Sequence, residues 1–111
     1  MNSLRIAATF LSALLLPAAG AEVAATFTSA AIVPVTAAGY TAAGNTVNLA
    51  LRFTPAVGTT LRVVNNTGAD FIEGFFDNLA QGQRVNLVYA GISYPYVANY
   101  FGGTGNDLVL E

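Results

Sequence analysis

The chain has 111 residues, which sets one domain as the expectation. It holds no cysteine and no histidine, so disulfides, thiolate metal sites and the commonest general base are excluded. Charged residues are only 9% of the chain and the net charge is −2, the opposite of a nucleic-acid binder's balance.

Residues 1–21 read as a secretory signal peptide. Arg5 is the positive end, Ile6 to Leu16 the apolar core, and Ala19-Gly20-Ala21 a small-x-small cleavage pattern that leaves Glu22 first. The apolar run is too short to span a bilayer, so no stable membrane span is expected after cleavage. Export without cysteine fits a bacterial envelope or secreted protein. Residues 22–45 are rich in Ala and Thr and read as a weakly structured lead-in, with Pro34 limiting any strand to an edge. Ala-Ala-Gly-x-Thr occurs twice, at 37–41 and 42–46.

From Thr46 the pattern alternates. Val47, Leu49, Leu51 and Phe53 point one way, a half-buried strand that Pro55 stops. Leu61 and Val63 mark the inward side of the next strand, and Asn65-Asn66-Thr67-Gly68 reads as a turn. A short strand is expected over 69–76, with Ile72 and Phe76 on one face. Val85 and Leu87 head another, and Ala90-Gly91 signals a two-residue hairpin. Tyr94, Tyr96 and Tyr100 then share one parity, with Pro95 on the other, and Leu108 and Leu110 end the pattern. Strands recur about every 10 residues, the spacing of an all-β sandwich, roll or solenoid. The domain expectation is therefore a signal peptide over 1–21, a lead-in over 22–45 and an all-β module over 46–111.

No constellation here supports catalysis. Asp70, Glu73 and Asp77 form an acid cluster, but a solvated strand edge explains it without a cleft. Gly102-Gly103-Thr104-Gly105-Asn106-Asp107 matches one copy of a calcium nonapeptide, and one copy cannot supply 6–8 oxygens. No catalytic residue, cofactor or metal site is assigned. The candidate binding residues are Tyr94, Tyr96 and Tyr100, whose rings could stack on a flat ligand or pack in the core.

Three stretches carry a likeness: Gly58-Thr59-Thr60-Leu61-Arg62-Val63-Val64-Asn65-Asn66, then Gly74-x-Phe76-x-Asn78-Leu79-Ala80-x-Gly82-Gln83, then Asn99-Tyr100-x-Gly102-Gly103-x-Gly105-Asn106-Asp107-Leu108-Val109-Leu110. Residues 46–111 resemble the closing, C-terminal module of bacterial autotransporter-associated β-strand repeat proteins. Similar modules occur in exported Verrucomicrobia and Planctomycetes proteins, some with regulator-of-chromosome-condensation-type repeats. The resemblance implies terminal rungs of a β-solenoid, preceded here by a signal-peptide helix, or a small sandwich or roll. It also implies a non-catalytic, exported cell-surface module of a Gram-negative-type bacterium, whose partners are other β-structured surface segments or itself. The chain departs from that pattern by lacking the long repeat array and any barrel after Glu111. It is expected to be a free-standing module or a fragment of a larger autotransporter-like protein. The alternative expectation is a small extracellular carbohydrate- or peptide-binding domain using the tyrosine-rich face.

Overall fold

The computed structural model describes residues 20–111. The expected signal peptide lies outside them except for Gly20 and Ala21. The described chain is all-β, with no helix. Its seven strands are β1 (Glu22–Phe27), β2 (Val35–Ala37), β3 (Thr46–Leu51), β4 (Leu61–Asn66), β5 (Arg84–Tyr89), β6 (Ile92–Gly102) and β7 (Asp107–Leu110).

The chain makes two parallel passes and then reverses. β1 pairs parallel with β3, Glu22 opposite Thr46, and β2 pairs parallel with β4, Val35 opposite Val64. A third parallel contact joins Thr41 to Glu73, 32 residues on. β4, β7, β6 and β5 are then antiparallel neighbours, giving a five-stranded sheet in the order β2-β4-β7-β6-β5 beside the two-stranded β1-β3 sheet. β5 returns to lie beside β3 without pairing to it.

The stretch expected as a lead-in is instead structural. Residues 22–45 supply β1 and β2, and Ala25, Phe27 and Ala42 are fully buried. Small Ala and Thr side chains hid the period of two, because in β1 only Val23 and Phe27 carry apolar groups larger than a methyl, and only Phe27 a ring. Burying that one ring contributes about 1.5–3 kcal/mol. Pro34 does limit pairing: it has no N–H, and β2 starts at the next residue. The five-residue echo marks two corners of the first pass, with Gly39 and Gly44 at φ 85° and 84°, where a Cβ is strained.

The sequence-expected core is largely seated. Val47, Leu51, Leu61, Val63, Ile72, Phe76, Leu87, Leu108 and Leu110 are buried, and Leu49, Phe53 and Val85 pack half-buried against them. Two expectations fail. Residues 69–76 form no strand, only isolated bridges at Glu73 and Phe76, and the expected turn at Asn65-Asn66 is the end of β4. A register shift between Arg62 and Val64 turns Val64 inward beside Val63, which breaks the alternation. The Ala90-Gly91 hairpin forms with both residues at positive φ, 51° and 78°, as a type I′ turn requires.

Candidate functional site

From residue 94 onward β6 presents its even-numbered side chains to the interior. Tyr94 is half-buried, and Tyr96, Ala98 and Tyr100 are buried. The three candidate tyrosines therefore share a face, as their spacing predicts, but not an environment. Tyr100 lies under Phe75, ring centroids 4.7 Å apart. Its hydroxyl donates to the Leu79 carbonyl at 2.6 Å and accepts from the Phe76 N–H at 2.9 Å. Both polar capacities are used inside the core, so Tyr100 is a structural clamp on the 76–79 turn and not part of a ligand platform. Burial pushes its pKa up to about 12, against the pull of the Phe76 N–H and with a further push from Tyr40.

Tyr94 and Tyr96 border open space. A cleft of about 470 Å³ lies between the Pro55–Thr60 loop and residues 94–96, with Glu111 beside it. The loop is closed by the Thr59 N–H donating to the Ala56 carbonyl at 3.1 Å. Burial raises the Tyr96 pKa, and proximity to Tyr94 adds to the rise. The Tyr96 phenol is therefore a neutral hydrogen-bonding group at ordinary pH. Among the described residues, Glu111 is the only charged one lining the cleft. What the arrangement offers is two aromatic edges, one carboxylate and the loop backbone, which suits binding more than bond-breaking chemistry.

The glycine motif does different work from calcium ligation. Asp107 is fully buried, and its Oδ1 accepts the Asn66 N–H at 2.8 Å. Its Oδ2 has no hydrogen-bond partner and faces Arg62 Nε at 3.7 Å and the backbone of Gly103. The Asn66 side chain accepts from the Gly39 and Gly68 N–H groups at 2.9 and 3.0 Å and donates to the Asp70 carbonyl at 2.8 Å. Asn106 donates to the Gly68 and Asp70 carbonyls, at 2.8 and 3.1 Å. One polar cluster thus ties turns from both passes to the β6–β7 loop. Sequence reasoning missed it, since Asn-Asn-Thr-Gly read as a turn.

The acid cluster is dispersed in the same way. Glu73 accepts the Thr41 hydroxyl at 2.9 Å and Asp77 accepts the Gly44 N–H at 3.1 Å. Among the described residues no group of three His, Cys, Asp or Glu could hold a metal, and no helix is long and apolar enough to cross a membrane. Next to Asp77, the Asn78 side chain accepts the Val47 N–H at 2.9 Å and donates to the Val47 carbonyl at 2.8 Å. It takes the place of a neighbouring strand at that edge of β3.

No protein-family model, curated protein or solved structure matches the chain.

Proposed function

We propose that this chain is an exported, non-catalytic structural module that ends a stack of parallel β-coils, as the terminal rungs of a β-solenoid do. The observation that carries the reading is the sequence of pairings. β1 on β3, β2 on β4 and Thr41 on Glu73 are all parallel and follow chain order, after which the direction reverses. Parallel passes are the unit that a solenoid repeats, and terminal units need a different outer face. Here β7 occupies the far side of β4, and Asn78 occupies the edge of β3 at Val47. The partner is then another β-structured surface segment, or a second copy, on the near side of β1 and β2. The site of action is the envelope or exterior of a Gram-negative-type bacterium, reached by the signal peptide over 1–21.

The test is a graft. Residues 20–111 are joined to the C-terminus of a parallel β-solenoid fragment that aggregates without its own cap. The expected product is a soluble monomer with one unfolding transition. Continued aggregation, or two independent transitions, rejects the capping role.

A second reading, a carbohydrate- or peptide-binding domain, is supported by the cleft beside Tyr94 and Tyr96. Binding on a glycan or peptide array that Tyr94→Ala abolishes is its expected outcome.

A further inference from the structure

A second cleft, of about 420 Å³, opens where corners of the two parallel passes meet. Gly39, Tyr40 and Thr41 line it from the first pass, and Asp70, Phe71 and Glu73 from the second. It shares no residue with the tyrosine cleft. Backbone bonds lock the two corners together. The Glu73 N–H donates to the Tyr40 carbonyl at 2.8 Å, and the Ala42 N–H donates to the Glu73 carbonyl at 2.9 Å. The Asp70 carbonyl accepts from the side-chain amides of both Asn66 and Asn106, which are buried. The polar cluster around Asp107 therefore ends on this cleft and holds its wall in place before any ligand arrives.

The wall carries charge of one sign. Asp70 and Glu73 are exposed carboxylates, and among the described residues no cation lines the cleft. Glu73 Oε1 accepts the Thr41 hydroxyl at 2.9 Å. Glu73 Oε2 and the Asp70 carboxylate take no hydrogen bond or ion pair among the described residues. Two rings stand beside them. Phe71 is 66% exposed although large and apolar, and Phe101 braces it in an edge-to-face contact, ring centroids 5.3 Å apart. Tyr40 is half-buried against Phe76, and burial raises its pKa, so its phenol is a neutral hydrogen-bonding group. Two carboxylates are too few for a calcium ion, which takes six to eight oxygens. A planar organic cation uses both features, its N–H groups pairing with carboxylates and its face resting on a ring.

We propose that this cleft binds a guanidinium group, the head of an arginine side chain on a partner protein. The fork of N–H groups pairs with Asp70 and Glu73, and the flat face rests on Phe71. The chain's net charge of −2 favours the approach of a basic partner. The site is independent of the capping surface and of the tyrosine cleft, so its failure would leave both of those readings standing.

The test uses the isotope-labelled full chain and three capped pentapeptides, Gly-Ser-X-Ser-Gly with X as arginine, lysine or citrulline, the last an uncharged isostere of arginine. The expected result is that the arginine peptide shifts the Tyr40, Asp70 and Phe71 signals. The lysine peptide binds several-fold more weakly and the citrulline peptide shifts nothing. Asp70→Asn and Phe71→Leu, both at exposed side chains, should each weaken the arginine peptide about threefold. Unchanged Tyr100 signals in the two variants show that the fold is kept. Equal shifts from the arginine and citrulline peptides would overturn the charge argument and the proposal with it. Equal binding of the lysine peptide would overturn the guanidinium assignment. Arginine-peptide binding that Phe71→Leu leaves unaltered would remove the ring from the site and reduce the effect to surface charge, and no shift with any peptide would overturn the site outright.

Discussion

Tyr100 shows how much one hydroxyl can hold. It joins Phe76 and Leu79 across a turn that has no strand of its own. Its pKa stands at about 12, against an ordinary 10.0 in the unfolded chain. Between those values the unfolded chain binds fewer protons, so this contribution is intact below pH 10 and is lost as pH climbs toward 12. The full loss is about 2–3 kcal/mol. Tyr100→Phe should cost about 1–3 kcal/mol at neutral pH, because the Phe76 N–H loses its acceptor. It should also flatten the alkaline decline in urea stability; a decline as steep as the native chain's would contradict the clamp. The parity of Tyr94, Tyr96 and Tyr100 was legible in sequence, but their separation was not. Alternation assigns a face, and only the packing of Phe75 and the 76–79 turn decides how far along that face water reaches.

Strand boundaries were legible where large and β-branched side chains alternate, as in β3 and β5. They were hidden where alanine and threonine do so, as in β1. Pro34 precedes an edge strand, β2, but Pro95 lies in β6, which has a neighbouring strand on each side. The Pro95 nitrogen faces away from β5, in a row that Asp107–Leu110 does not reach, whereas the Val97 N–H is bonded to Glu111 at 2.9 Å. Pro95→Ala should therefore change stability by less than about 1 kcal/mol, while Val97→Pro should cost about 3 kcal/mol. Equal denaturation midpoints for the two variants would refute the assigned direction of the strand. At β3 the polar edge depends on one amide. Asn78→Ala should destabilise by about 1–2 kcal/mol, by lowering the urea midpoint without changing the slope. An unchanged midpoint would mean that water replaces both bonds to Val47.

At the scale of the molecule, the expected boundary at residue 46 does not separate folded from unfolded chain. Phe27 and Ala25 lie in the same core as Leu51 and Leu61. Residues 46–111 made alone should therefore lose cooperative thermal unfolding, while residues 20–111 keep it; a sharp transition in the shorter chain would restore the lead-in reading. The all-β class could be read from the recurrence of strands and turns. The parallel pairings could not, because strand spacing is the same whether neighbours run parallel or antiparallel. The polar cluster of Asn66, Asn106 and Asp107 was equally hidden, since its members lie 40 residues apart in sequence (|i−j| is 41 for Asn66 and Asp107) and meet only in the finished fold.

The placement of β7 has a consequence in time. Strand order and chain order disagree, since β7 follows the other six strands in sequence yet sits between β4 and β6. A chain that emerges N-terminus first, from a ribosome or through a membrane pore, holds β4 with one edge unsealed until Asp107–Leu110 arrive. The buried Asn66 N–H waits for the same residues. Such late, long-range closure slows folding and delays commitment to the compact state, which is the condition in which a polypeptide can still be threaded through a narrow channel.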